Sequence, residues 1–137
     1  MAGKVTHAVF ADSVLKKTKI DNIDMESIKT YSTLPDFPRT NHFNRLIHKS
    51  KSNTLFCNMF KYIVSNNLEN NIYVRSMFFA FISHYVLDSV IHPYVFYRTE
   101  YYDRMYNHSK YNRKHHFYER YIDVYYIDKY KLGKFYK

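Results

Sequence analysis

Glycine and proline are scarce in this chain, two and three among 137 residues. So few turn residues argue against a sandwich or barrel of many short strands. A Gly-rich phosphate loop cannot be built, so Rossmann and P-loop nucleotide folds drop out. Cysteine is nearly absent as well: Cys57, the single one, makes no internal disulfide and no thiolate cluster, so a metal site must draw on histidine and carboxylates. The opening residues Met1-Ala2-Gly3-Lys4-Val5-Thr6-His7 lack a basic stretch followed by a long apolar one, so no secretory signal is evident and a cytoplasmic setting is expected. The most apolar stretch, Met77 to Tyr97, contains His84, Asp88 and His92. Each is expensive in hydrocarbon, so the stretch reads as a buried core helix and not as a membrane span. Acidic residues are in deficit, 12 against 21 lysines and arginines, for a formal charge of +9. That balance favours anionic partners such as phospholipid headgroups, nucleic acid or phosphorylated substrates without choosing among them.

What is present suits one globular domain spanning residues 1–137: apolar types make up 46% and charged types 24%, an ordinary folded composition. Val5, Ala8, Val9, Ala11, Val14 and Leu15 recur at helical spacing and predict a helix over 5–17. Residues 18–41 read as a loop that ends in a rigid turn, with Asp36 pinned between Pro35 and Pro38. Short helical patterns follow over 42–48 and 52–64, the latter behind an N-cap at Ser50 or Ser52. Cys57 reads as a core residue of that helix. Asn66, Asn67, Asn70 and Asn71 mark a turn. A helix over 72–91 is apolar almost all round, as a central helix surrounded by others would be, and Pro93 is expected to end or kink it. After a Tyr-rich connection over 97–112, a last helix over 113–130 aligns Phe117, Tyr121, Val124 and Tyr125 on one face. No segment sustains two-residue alternation, so the expected architecture is an all-α compact bundle of four to five helices.

The central helix carries chemistry. His84, Asp88 and His92 follow one another at intervals of four, which sets them on one face as a polar stripe. Burying two imidazoles and a carboxylate in line is costly unless they bind each other or a cation. Zinc accepts both donor types at about 2 Å, and a metal is the economical explanation. The last helix offers a second pair at the same spacing, Glu119 with His115, with His116 and Asp123 as near neighbours. His7, Asp36 and His48 add potential ligands in the N-terminal third.

With those residues in view, the chain resembles the zinc-dependent phospholipase C family, to which the helical S1/P1-type nucleases are related. The most specific match is Ser83-His84-Tyr85-Val86-Leu87-Asp88-Ser89-Val90-Ile91-His92-Pro93-Tyr94, which looks like the family's central His-x-x-x-Asp helix and the His and Pro after it. Thr6-His7, the Asp36 and His48 pair, and His115-x-x-x-Glu119 follow the family's order over roughly residues 4 to 130. The resemblance implies that Asp36, His48, His84 and Asp88 hold one zinc and that His92, His115 and Glu119 hold a second. A third would lie between His7 and a bridging Asp88. Secreted members complete that third site with a mature N-terminal Trp, and this chain has none. It also implies hydrolysis of a phosphodiester by metal-activated water, with Asp36 as general base or water-positioning group.

Plainer readings stand beside this one. His84 and Asp88 suit a buried hydrogen bond between helices, His92 a histidine at a helix C-terminus, and His115 with Glu119 an exposed ion pair. Either His115 or His116 precedes Glu119 by one turn. His42 and His108 read as surface residues. Eleven of the 16 tyrosines lie from Tyr97 onward, interleaved with lysine and arginine. That pattern suits stacked bases or a peripheral membrane contact, and compositional bias is the simplest account of it. Two alternatives to a phospholipase C-like hydrolase therefore remain: a helical binding or scaffold protein with or without the metal, and a nuclease, which the positive charge would suit.

Overall fold

The computed structural model describes residues 3–36, 46–48, 52–99 and 108–133. Among the described residues are five α-helices and no strand: α1 (Lys4–Thr18), α2 (Met25–Tyr31), α3 (Ser52–Ser65), α4 (Ile72–Arg98) and α5 (His108–Lys129), with a 3-10 turn at Leu34–Asp36 between α2 and α3. The expected all-α bundle of four to five helices is the fold observed. α4 is its spine, in contact with the other four helices, and α1 packs additionally against α2 and α5.

The segment expected to be loop contains α2. Asp24 caps it by accepting a hydrogen bond from Ser27 N at 2.8 Å, and Lys29 pairs with Glu26 at 2.7 Å. Ile28, completely buried, joins Ala11, Leu15 and Ala80 in the core, with Ile23, Met25, Tyr31 and Phe79 around them. Seven residues would not hold a helix in water; docking on α4 supplies what local propensity lacks. Ser76 fixes the junction, accepting from Asp24 N at 2.8 Å and donating to Ile72 O.

α4 departs from expectation in two ways. It runs through Pro93 to Arg98, although a proline inside a helix costs about 3 kcal/mol. Beyond the proline Val95 is fully buried, and Phe96 stacks on His92 at 5.2 Å; that packing outweighs the lost hydrogen bond. Nor is α4 enclosed on all sides. Its buried face carries Ser76, Ala80, Ser83, His84, Leu87 and Asp88, whereas Val90 is 71% and Tyr97 80% exposed. By length and composition α4 is apolar enough to cross a bilayer, yet its His84 and Asp88 face is buried, as in a core helix.

Three smaller expectations change. The stripe of Phe117, Tyr121, Val124 and Tyr125 on α5 faces solvent, because the buried side of that helix is taken by His115 and Glu119. Cys57 is exposed, because Ser52 and Ile63, not Cys57, form the buried edge of α3. Ser52 is the first helical residue, and its hydroxyl donates to Ile47 O at 2.7 Å instead of capping α3. Ser50, His42 and most of the helix expected over 42–48 lie outside the described residues, as does the His108 side chain.

The N-cap position of α1 is Gly3, which has no side chain with which to cap the helix. The cap comes from α5: Asp123 Oδ1 accepts from Thr6 N at 2.9 Å and from Thr6 Oγ1 at 2.7 Å. A β-carbon on Gly3 would overlap that carboxylate. Asp123→Ala is therefore expected to destabilise the protein by about 1–2 kcal/mol, and Gly3→Ala should act in the same direction. Asp128→Ala, at an exposed position of α5, should stay within about 0.5 kcal/mol. Urea unfolding of the three variants checks this, and equal effects at Asp123 and Asp128 would refute the cap.

Candidate metal centre

The site grows from one turn into α1. His7 is completely buried and stacks on His84 of α4, ring centroids 3.8 Å apart and nearly parallel. His84 Nδ1–H donates to the carbonyl of Ser32, the residue that closes α2, at 2.7 Å. That bond fixes the tautomer and aims Nε2 at the centre of the cluster. There Nε2 lies 3.4 Å from Asp36 Oδ1 and 3.5 Å from Asp88 Oδ2. His48 Nε2 completes the arrangement, 3.2 Å from each of those oxygens and 3.1 Å from His84 Nε2.

Donor atoms of Asp36, His48, His84 and Asp88 all lie within 4.8 Å of one another. A tetrahedral ion with arms of about 2 Å requires donors about 3.3 Å apart, and the measured separations of 3.1–3.5 Å cluster around that edge. Asp36 Oδ1 is buried without a hydrogen bond, as are both ring nitrogens of His7; such groups call for a partner. The residues fit a zinc ion. Asp88 reaches further: its other oxygen, Oδ1, is 3.4 Å from His7 Nε2, while Asp36 Oδ2 is 3.9 Å from the same nitrogen.

A second group forms between α4 and α5 from His92, His115 and Glu119. Glu119 Oε1 is 2.8 Å from His115 Nε2 and 3.9 Å from His92 Nε2. His92 Nδ1–H donates to Asp88 O at 2.9 Å, which again turns Nε2 toward the group. Burial pushes the His92 pKa down, so its imidazole stays neutral and able to ligate. His115 and Glu119 are buried, not the exposed ion pair that was one reading. Of the two adjacent histidines it is His115 that joins the group. His116 reaches the other oxygen of Glu119 at 3.3 Å from the rim.

All eight residues singled out in the sequence, His7, Asp36, His48, His84, Asp88, His92, His115 and Glu119, are thus brought together, in two linked groups. His84, Asp88 and His92 do not form one stripe. Each step of four residues rotates about 40° around a helix, so His92 has turned from the first group toward α5. Asp123, expected near the second group, caps α1 instead. The Ser32 carbonyl that orients His84 carried no sequence signal, since any residue supplies one.

Burial opposes charge at His84, but the carboxylates of Asp36 and Asp88 prevail and raise its pKa to about 9 in the metal-free protein. Burial likewise opposes ionisation of the two acids, and the imidazoles of His48, His84 and His7 hold both well below the usual carboxylate range. A group whose pKa rises on folding stabilises the fold below its unfolded value and ceases to do so above its folded one. Chelator-treated protein should therefore lose stability as pH rises from about 6.5 to about 9, and His84→Gln should remove most of that slope. Urea midpoints across this range provide the check; a flat wild-type profile would contradict it.

Searches of curated proteins and of solved structures return no match. A protein-family model described as zinc dependent phospholipase C matches residues 6–137. That span contains every residue of both groups, and its zinc dependence agrees with the donor geometry: the chain belongs to the zinc-dependent phospholipase C family.

Proposed function

We propose that this protein is a zinc-dependent phosphoesterase that hydrolyses a phosphodiester on a lipid-like or small substrate. The observation that supports this most is the near-tetrahedral set of Asp36, His48, His84 and Asp88 in a chain of this family. In this reading those four hold one zinc, His92, His115 and Glu119 a second, and His7 with Asp88 mark the position of a third. When bound, zinc lowers the pKa of water and stabilises charge on the phosphoryl and leaving oxygens.

The chain's own residues divide the remaining work. His7, His84 and Asp88 form a closed floor, while Asp36 and His48 are the more open members, 13% and 20% exposed. Substrate therefore approaches from the side of the 3-10 turn. Asp36, at that mouth and held ionised, accepts a hydrogen bond from the attacking water and orients it; a carboxylate with so low a pKa is a weak acceptor of a whole proton. Its backbone is fixed by a hydrogen bond from Asp36 N to Thr33 O. The formal charge of +9 favours an anionic substrate and keeps a nuclease as the second reading.

Elemental analysis of protein purified without a metal-affinity tag should find near two zincs per chain. Less than half an equivalent would favour a helical scaffold. On a panel of lipid, nucleotide and chromogenic phosphodiesters, Asp36→Asn should lower kcat by about 10²- to 10⁴-fold while the zinc of the second group is retained. Wild-type protein that turns over nothing on the panel would refute the hydrolase reading, and turnover confined to nucleic acid would select the nuclease.

A further inference from the structure

Glu119 divides its two oxygens between different partners. Oε1 turns inward, to His115 Nε2 at 2.8 Å and toward His92 Nε2 at 3.9 Å. Oε2 meets His116 Nδ1 at 3.3 Å. An ionised carboxylate only accepts, so His116 Nδ1 carries the proton and donates it. His115 and His116 are successive residues of α5 and point about 100° apart around the helix, their rings nearly perpendicular at 83°. One therefore faces the group while the other stands at its edge, its side chain 37% exposed against 8% for Glu119.

We propose that His116 is a positioning residue for the second group: by holding Oε2 it makes Glu119 present Oε1 alone to the ion that His92 and His115 also face. The inference rests on reading those three residues as zinc ligands. The terminal torsion of a glutamate is broad and roughly two-fold, so nothing in the side chain itself chooses which oxygen points inward. A donor on Oε2 such as His116 biases that choice from outside the coordination sphere, and loss of such an outer partner typically weakens metal binding 10- to 100-fold.

The test is a zinc titration of the full chain against a chromophoric chelator, paired with the visible spectrum of the cobalt-substituted protein. His116→Ala is expected to leave the tighter equivalent unchanged, which also reports an intact fold, and to weaken the second by about 10- to 100-fold. Cobalt band intensity should change as Glu119 gains freedom to bind through both oxygens. His116→Asn, whose amide nitrogen sits where Nδ1 does, should restore most of the affinity and the spectrum, whereas His115→Ala should lose the second equivalent outright. A second equivalent bound by His116→Ala as tightly as by wild type would overturn the positioning role and leave the ligand reading standing. Retention by His115→Ala with loss in His116→Ala would exchange the two histidines and overturn it as well. Uptake of one equivalent by the wild type would remove the second site itself, and the proposal with it.

Discussion

Half-buried Asp36 and buried Asp88 lie close together, each with an oxygen 3.2 Å from His48 Nε2, and two like charges largely removed from water repel strongly unless positive charge or donors lie between them. Much of the fold can be understood as meeting that demand. α1 contributes His7, α4 contributes His84, and the short segment before α3 contributes His48, all directed at the same pair of carboxylates. α2 supplies no ligand, yet its terminal carbonyl at Ser32 locks the His84 ring. Those three imidazoles supply part of the compensation, and the two carboxylates in turn raise the His84 pKa against the effect of its burial. A divalent ion held by Asp36, His48, His84 and Asp88 would supply more of that compensation, which would make metal binding and folding two aspects of one electrostatic balance.

The same demand explains the unusual patterning of α4. Where it meets α1 and α2 its inward face includes the small residues Ser76 and Ala80 beside the larger Phe81, Leu87 and Val95, because the backbones must come close enough there for side chains from three elements to meet. Ser76 and Ala80 permit that approach, and both are completely buried. Other apolar residues of α4 face outward, where Val90 and Tyr97 lie in solvent. The helix also persists past Pro93, since ending it there would strip His92 of the Phe96 ring and of the α5 residues it faces.

Asp88 links the two groups. Its Oδ2 belongs to the first group, its Oδ1 approaches His7, and its backbone carbonyl orients His92 for the second. Helices α1 and α5 are joined in a similar way, because the carboxylate that caps α1 comes from Asp123, one turn beyond Glu119 on α5. Position in the first group is thus coupled through α1 to the helix that carries the second.

Residue type and periodicity made the helical class legible, together with the four-residue spacings of His84 with Asp88 and of His115 with Glu119, since these depend only on the geometry of a single helix; His7, Asp36 and His48 gained weight as ligands only through the family resemblance. Hydropathy misjudged the outside of α4, the stripe on α5 and the place of Cys57, because an apolar residue is a candidate for burial and not proof of it. The helix α2 was missed because seven residues are stable only when docked. Tertiary structure alone decided between His115 and His116, brought the donors together in the two groups that the family resemblance implied, and assigned the Ser32 and Asp88 carbonyls to fix the imidazoles. Those outcomes depend on distances between segments far apart in the chain, down to which oxygen faces which nitrogen, and no local pattern encodes such distances.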